Sequence, residues 1–381
     1  MKTTTHFLAL ATVILLLTAS LEGRTFTYKN GRKVEAELVG MAGNQVAIKV
    51  GGQTLNIVLA RFSVADQKFI RESVVVASGH YPPTAPPQEA IDAGYRLRTF
   101  SPEFRTDTVD ARSTGDRGFQ WYPWTLFGHK TDLGKIQLNP DGSVTLLGDI
   151  TGPNGELCTA VPSRSREKFV GTVFGGGGYL EATFRLNPND VIARKFKGWP
   201  SWWSVSAERT FGLESGYWAG QAPGYAHGIE ADFFEYDLSD EVVNKHRVNC
   251  YGACMHDWYG IWNVTCKGFC QAKGGPGYRD NIRVVPADTD FNQYHRYGFL
   301  WVPATEKTKG YAKYYFDGKE IGSGWSWERF TNQTPPPVPP WLFGVIDKHH
   351  LLLILGTGVG EPMTVKSVAV WQKSGDDNLR F

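Results

Sequence analysis

Short stretches in which hydrophobic and polar residues alternate, separated by turn residues, follow one another along most of the chain. Residues 24–28 alternate in this way and lead into Asn30-Gly31, a pair typical of a two-residue hairpin turn. Residues 134–150 and 169–186 continue the pattern, with a strong turn signal at 139–142. Alternation with a period of two predicts strands that bury one face. The larger part of the chain has no long stretch with helical periodicity, so the sequence predicts an all-β protein.

The pattern divides into two modules joined by a proline-rich segment. Residues 24–72 contain short strand-like stretches and a candidate helix start at Ser63, with Asp66 three residues on as in a capping box. The length of this module fits a five-stranded mini-barrel. Residues 73–92 are rich in proline and predict a semi-stiff extended linker. Residues 93–373 then predict one large β domain.

The first 23 residues have the pattern of a secretory signal peptide. Lys2 supplies a positive start, and an apolar run from Phe7 to Leu17 has the length of an h-region. The run is too short to span a bilayer, and an uncleaved anchor is the alternative. We therefore expect the mature chain to be secreted, periplasmic or attached to the cell surface, with no membrane segment after the signal is cleaved.

Charge and composition narrow the possible partners. The net charge is +2 and 20% of the residues are charged, which gives no indication of a nucleic-acid partner. The chain contains 13 Trp, 16 Tyr and 22 Phe together with 43 Gly and 21 Pro. This composition is typical of a β protein with many turns and exposed aromatic surfaces. Exposed aromatic faces of this kind can stack on sugar rings.

The stretch 228–236 carries three carboxylates in a setting that otherwise favours a strand. Glu230 and Asp232 share one face, and Glu235 has the wrong parity unless a β-bulge adds one residue at Phe233-Phe234. The two glutamate Cα atoms would then be ~13 Å apart. Long side chains leaning inward could bring the carboxylates to the ~5–5.5 Å used by retaining glycosidases. A solvated acidic edge strand is the alternative interpretation.

Several tryptophans precede this strand and are candidates for sugar stacking. Trp199 stands next to a proline at the entry of a predicted strand, which favours the rim of a cleft. Trp203 lies inside the same strand, where the hydrophobic core is an equally good place for it. Trp218 belongs to a long loop that we expect either to wall one end of the cleft or to cover the surface.

Four cysteines follow the acidic strand as two pairs with the same spacing. In an exported protein, Cys250, Cys254, Cys266 and Cys270 predict two disulfide bonds, whose pairing the sequence leaves open. A four-cysteine zinc site is the alternative. We expect the fifth cysteine, Cys158, to be buried and inert.

The residues between the two cysteine pairs are aromatic and polar. His256 and Trp258 lie there, and we interpret the segment as an insertion at the cleft edge that contacts substrate. A loop that packs only on itself, held by its own disulfides, is the alternative.

Several motifs occur in the order found in glycoside hydrolase family 16. They are 178–185, 198–203, the Glu230-x-Asp232-x-x-Glu235 motif, 294–301, 315–318 and 365–372. Over residues 93–373 the chain resembles this family, whose fold is a concanavalin-like β-sandwich jelly roll. The resemblance implies that Glu230 is the nucleophile and Glu235 the general acid/base, with Asp232 between them.

The resemblance also bears on metals and on the first module. Members of the family often have an aspartate in the last strand that is associated with a structural calcium, but the matching residues here are Val365 to Val368. We therefore predict no metal and no cofactor. Residues 24–70 are similar to the Sla homology domain, a Src-homology-type barrel, which implies a binding or tethering role with an unknown ligand.

The sequence thus predicts a secreted retaining endo-glycoside hydrolase that cleaves a β-linked polysaccharide, with β-1,3-glucans and algal galactans as candidates. A non-catalytic carbohydrate-binding surface protein is one alternative. A transglycosylase that remodels glucan is another. Subfamily specificity depends on loop geometry that the sequence does not reveal.

Overall fold

A computed structural model gives the structure of the protein. It describes residues 24–42, 45–74, 85–126, 131–148, 155–164, 167–186, 199–213, 221, 223–236, 250–263, 268–269, 282–331, 343–357 and 362–381. The chain divides into two compact units, Met1–Pro82 and Pro83–Phe381. The predicted signal peptide and half of the predicted linker, residues 75–84, lie outside the described residues.

The first unit is a small antiparallel sheet with a helix packed on it. Its elements are β1 (Arg24–Thr27), β2 (Lys33–Ala42), β3 (Gln45–Val50), β4 (Gln53–Val58), a 3₁₀ helix (Leu59–Arg61) and α1 (Val64–Val74). The strands pair in the order β1-β2-β3-β4. Four strands are therefore described where the sequence predicted a five-stranded barrel. Phe26, Val46 and Ile48 form the core of this unit with Ile70 of α1.

Helix α1 begins at the residue pair that the sequence singled out. Ser63 Oγ accepts a hydrogen bond from the backbone N–H of Asp66, at 3.1 Å, and donates one to the Asp66 carboxylate. The same carboxylate accepts from the backbone N–H of Thr27 at 2.8 Å. The cap thus fixes the start of the helix and ties it to β1.

Nearly all the regular elements described in the second unit are strands. In chain order its elements are α2 (Gln88–Asp92), β5 (Leu97–Phe100), β6 (Tyr122–Pro123), β7 (Ile136–Leu138), β8 (Val144–Leu146), β9 (Glu156–Cys158), β10 (Ala160–Pro162), β11 (Phe169–Val173), β12 (Gly178–Leu186), β13 (Pro200–Ser206), α3 (Ala207–Phe211), β14 (Tyr225–Glu235), β15 (Cys250–Asn263), β16 (Gly268–Phe269), β17 (Ile282–Val284), β18 (His295–Val302), β19 (Gly310–Phe316), β20 (Lys319–Glu320), β21 (Trp325–Trp327), β22 (Leu351–Thr357), β23 (Met363–Gln372) and β24 (Leu379–Arg380). Two further 3₁₀ helices span Leu133–Lys135 and Gly344–Lys348.

These strands form two large antiparallel sheets and one small one. The eight-stranded sheet has the order β16-β15-β14-β13-β22-β9-β6, with β17 beside β15. The nine-stranded sheet has the order β20-β19-β18-β12-β23-β8-β7, with β21 beside β19 and β5 beside β23. A three-stranded sheet, β10-β11-β24, completes the unit. The unit is a β-sandwich of the jelly-roll type, which confirms the predicted fold class.

The main core lies between the two large sheets and is rich in aromatic residues. Phe233 of β14 packs on Phe299 of β18 with ring centroids 4.5 Å apart. Its neighbour Phe234 packs on Tyr297 and on Phe184 of β12, at 4.6 and 4.8 Å. Because β14 presents one face to this core, its other face is left for polar residues. Among the described residues, no helix is long and apolar enough to cross a membrane.

Candidate active site

Strand β14 contains the β-bulge that the sequence predicted. Against β13, Glu230 pairs with Val205, Asp232 with Trp203 and Glu235 with Ser201, so three residues of β14 span two residues of β13 after Asp232. The same irregularity occurs against β15. Two consecutive phenylalanines, Phe233 and Phe234, both reach the core because of the extra residue. The bulge therefore returns Glu235 to the face that carries Glu230 and Asp232.

The two glutamates are partly exposed and each accepts a hydrogen bond from an indole. Trp258 Nε1 donates to Glu230 Oε2 at 2.9 Å, and Trp199 Nε1 donates to Glu235 Oε1 at 2.8 Å. Trp199 is 42% exposed. The two carboxylates thus have separate donors, one on β15 and one just before β13.

Asp232 lies between them and is buried. Its Oδ2 is 3.1 Å from His256 Nε2 and accepts a hydrogen bond from the thiol of Cys254 at 3.2 Å. Cys254 Sγ is also 3.2 Å from His256 Nε2 and 4.0 Å from Glu235 Oε2. Cys254 and His256 stand two apart on β15, directly beside the carboxylates. Five side chains from two neighbouring strands therefore form one cluster.

The predicted disulfide of Cys254 is not formed, because its sulfur is a thiol in this cluster. Cys254 pairs in register with Asp232, so its side chain points to the carboxylate face rather than toward another cysteine. Cys250 is buried in the core between the sheets. Cys266 and Cys270 lie outside the described residues, so their pairing stays a prediction.

Burial raises the proton affinity of every acid in the cluster. Burial and the charge of Asp232 raise the pKa of Glu230 to about 7, against the opposing effects of His256 and the Trp258 hydrogen bond. Burial raises the pKa of Asp232 to about 7. Burial and the charges of Asp232 and Glu230 raise the pKa of Glu235 well above its usual range. Burial and the surrounding carboxylates also raise the pKa of Cys254, which keeps the thiol protonated and able to donate.

The other predicted contact residues take different places. Trp203 is the register partner of Asp232 and therefore lies on the carboxylate face, but it is only 7% exposed, because it packs in a second hydrophobic cluster with Tyr122 and Ile354. This is the core position that the sequence left open. His256 is buried and stacks on Trp258, with ring centroids 5.5 Å apart and planes 7° from parallel. It contacts Asp232 instead of facing outward. Trp218 lies outside the described residues.

Glu156 is an acidic residue on the same sheet face that the sequence analysis missed. One row of register partners runs across the sheet: Glu235 pairs with Ser201, Ser201 with Gly356, and Gly356 with Glu156. A Cβ atom on Gly356 would lie 3.1 Å from Glu156 Oε1, so the glutamate extends across the glycine toward the site. Glu156 is 7% exposed, its Oε2 has no hydrogen-bond partner, and burial raises its pKa to about 8. No sequence motif marks it, because its place depends on pairing between strands far apart in the chain.

Cys254 was also missed as a site residue, although the sequence contains a signal for it. Cys254, His256 and Trp258 are spaced by two, which is the spacing of side chains on one face of a strand. Because Cys254 was assigned to a disulfide, the sequence analysis did not place it on the same strand face as His256 and Trp258.

Comparison with known proteins gives only distant structural similarity. No protein-family model and no curated protein matches the sequence. A Bacteroides ovatus family 16 glycoside hydrolase of a mixed-linkage glucan locus, in complex with a product, is 12% identical with a TM-score of 0.41, covering 71% of this chain and 99% of that one. An immunostimulatory antigen and pseudo β-1,3-glucanase of Mycobacterium tuberculosis is 14% identical with a TM-score of 0.38, over 73% and 99%. A Bacillus subtilis protein with a galectin-like fold is 12% identical with a TM-score of 0.35, over 75% and 98%. We base no conclusion on likeness of this degree.

Proposed function

We propose that this protein is a secreted, retaining, endo-acting glycoside hydrolase that cleaves a β-linked polysaccharide, either a β-1,3-glucan or an algal galactan. The observation that carries the proposal is the bulge in β14, since it brings Glu230, Asp232 and Glu235 to one sheet face. Two carboxyl groups on one face, one charged and one protonated, are what double displacement at a glycosidic bond requires.

The roles follow from the different surroundings of the two glutamates. Glu230 attacks the anomeric carbon and forms a covalent glycosyl-enzyme, while Glu235 gives its proton to the leaving glycosidic oxygen. Glu235 then takes a proton from the water that releases the sugar. The hydrogen bond from Trp258 favours the ionised form of Glu230. The charge of Asp232 raises the pKa of both glutamates, and the charge of Glu230 raises that of Glu235 further, which favours Glu235 as the protonated acid.

The exposed ring of Trp199 supports sugar binding beside the acid/base. Its Nε1 donates a hydrogen bond to Glu235, and its exposed surface suits stacking on a sugar ring.

The first unit is proposed to have a separate role. The resemblance of residues 24–70 to the Sla homology domain supports binding or tethering by this unit, with an unknown ligand.

A panel of polysaccharides tests the proposal. The full chain is incubated with laminarin, mixed-linkage β-glucan, agarose and carrageenan, and new reducing ends and product sizes are measured. We expect internal cleavage of one substrate to give short oligosaccharides, and Glu230→Gln to abolish it while the polysaccharide is still bound. Glu306→Gln, which changes an exposed glutamate paired with Arg329, is the matched control and should retain full activity.

Other outcomes separate the alternatives. Binding of a polysaccharide without any cleavage would identify a non-catalytic binding protein. Products longer than the substrate when an acceptor sugar is added would identify a transglycosylase. Unchanged activity of Glu230→Gln on the true substrate would contradict the assigned nucleophile.

A further inference from the structure

We propose that Asp232, Cys254 and His256 form a binding site for a zinc-class divalent metal ion. The three residues supply one carboxylate oxygen, one sulfur and one imidazole nitrogen, all buried, and these atoms lie within 4.8 Å of one another. The sequence predicted no metal here, and the alternative zinc site it left open used four cysteines. The proposed site uses only one of those cysteines.

The spacing of the three ligand atoms is close to that of a tetrahedral site. Cys254 Sγ lies 3.2 Å from Asp232 Oδ2 and 3.2 Å from His256 Nε2, and the oxygen and nitrogen are 3.1 Å apart. A zinc ion with bonds of about 2.0–2.3 Å holds its ligand atoms about 3.3–3.7 Å apart. The three atoms therefore already form one face of the tetrahedron, and an outward shift of a few tenths of an ångström would admit the ion.

The backbone holds this triangle in place. Asp232 and Cys254 are register partners on the adjacent strands β14 and β15, and His256 is the next residue on the same face of β15. His256 is further held by its stack on Trp258. Ligands on paired strands keep their mutual distances better than ligands on loops, which lowers the cost of organising the site.

A fourth position remains for an exchangeable ligand. Glu235 Oε2 is 4.0 Å from Cys254 Sγ, on the part-exposed side of the cluster. A carboxylate, a water molecule or a sugar hydroxyl there completes four-coordination, as in zinc sites with three protein ligands. When the Cys254 sulfur bonds to the metal, its proton leaves to solvent, and no atom changes oxidation state.

Metal binding has a consequence for catalysis that rests on the proposed function. A metal ion held by Asp232, Cys254 and His256 lies beside Glu235, and a Glu235 carboxylate that supplies the fourth ligand can no longer give a proton to the glycosidic oxygen. Zinc is therefore expected to inhibit hydrolysis reversibly, with activity restored by a chelator.

Cobalt(II) provides a readout that does not depend on activity. The full chain is reduced, freed of metal with a chelator and titrated with cobalt chloride, and the thiolate-to-cobalt charge-transfer band is followed. We expect one cobalt ion per chain, displaced by one equivalent of zinc. Cys254→Ser should abolish the band. His256→Gln and Asp232→Asn should weaken binding by more than about 100-fold, since loss of even an outer partner of a metal ligand typically costs 10–100-fold.

Matched variants distinguish this site from other thiols and histidines. Cys158→Ser removes a buried thiol that donates to the Trp124 carbonyl, and His295→Gln removes a histidine that contacts Asp317 on the other large sheet. Both should retain the band and the affinity. Cys266→Ser should retain them too, whereas a four-cysteine site would lose its metal in that variant and keep it in His256→Gln.

Three results would overturn the proposal: no cobalt bound by the intact chain, an unchanged band in Cys254→Ser, or loss of metal in Cys266→Ser with retention in His256→Gln. Near-ultraviolet circular dichroism of each variant identifies any that fail to fold, and His256→Gln, which keeps all five cysteines, provides a second test if Cys254→Ser is one of them. A cobalt band in a chain that cleaves no polysaccharide would support the metal site and contradict only the proposed hydrolase.

Discussion

Two tryptophans act on the two glutamates separately. Trp258 on β15 donates to Glu230, and Trp199, just before β13, donates to Glu235. A hydrogen bond to an ionised carboxylate contributes more than one between neutral groups, because the acceptor carries the charge. Each glutamate therefore has its own indole donor, and the difference between their pKa values comes from burial and the neighbouring carboxylates.

Replacing Trp258 by Phe tests how much the indole hydrogen bond to Glu230 contributes to activity. The ring can still stack on His256, but Glu230 loses its donor, so its pKa rises and a smaller fraction is ionised and able to attack. We expect kcat/KM on the polysaccharide to fall about tenfold to a hundredfold, since a hydrogen bond to a charged group contributes about 1.5–3 kcal/mol. Trp371→Phe is the control, because Trp371 packs in a separate cluster with Tyr179 and Leu300. Equal losses in both variants would show a general packing effect.

Glu156 is expected to make stability depend on pH. Its pKa of about 8 in the folded chain is above that of an unfolded glutamate, so the folded state binds the proton more tightly. Stability should therefore fall as the pH rises between about 4.5 and 8 and change little from this group above that range. Between pH 5 and pH 9 the wild-type chain should lose more unfolding free energy than the Glu156→Gln variant, by on the order of 3 kcal/mol.

Denaturant unfolding at both pH values measures this difference. Glu306→Gln serves again as the exposed control. A wild-type chain that gains stability toward pH 9, or a Glu156→Gln variant that loses as much as the wild type, would contradict the assignment of this group.

At the scale of elements, the bulge in β14 decides which side chains reach the site. Without it, Phe234 and Glu235 would exchange faces, because neighbouring residues on a strand point in opposite directions. The core would then receive a carboxylate, and an aromatic ring would be turned outward. The bulge is therefore needed both for packing and for the carboxylate cluster.

Deleting Phe233 tests the role of the bulge. The shortened strand alternates regularly from Glu230 through Asp232 to Glu235, so the three carboxylates stay on one face while the core loses one aromatic ring. We expect the thermal midpoint of the second unit to fall sharply, and hydrolysis to fall because a strand without its bulge aims Glu235 differently. Phe233→Leu keeps the number of residues and should retain activity with a smaller loss of stability from the smaller side chain. Full activity of the deletion variant would show that the bulge is dispensable.

At the scale of the whole molecule, each of the two units has its own hydrophobic core. Phe26, Phe62 and Ile70 belong to the core of the first, while the second is built around the aromatic layer between its two large sheets. All the residues of the candidate site belong to the second unit. Separate cores indicate that the units fold independently.

Residues 83–381 alone should therefore fold and keep the activity of the full chain. We expect a fragment of these residues to cleave the same soluble substrate with kcat/KM within about twofold, and to unfold at the same midpoint as the main transition of the full chain. Scanning calorimetry and the reducing-end assay measure both. A fragment that aggregates or unfolds at a much lower temperature would show that the first unit is needed for folding.

The sequence predicted the parts of the structure that depend on local periodicity. Strand alternation gave the β class, and parity gave the bulge at Phe233-Phe234, since three carboxylates on one face required an extra residue. The position of Trp203 was left open because parity places a side chain on a sheet face without saying what covers that face. Cys254 was misassigned since the expected compartment favours disulfides, and Glu156 was missed because its partners come from strands distant in sequence.

Glu230, Asp232 and Glu235 belong to one uninterrupted strand, so covalent geometry and one irregular residue set their separation. Replacing the loops at the ends of the sheet would change which polymer is bound without moving the three acids. Specificity could thus diversify while the reacting groups stay constant, which suits this scaffold to directed evolution of new polymer preferences.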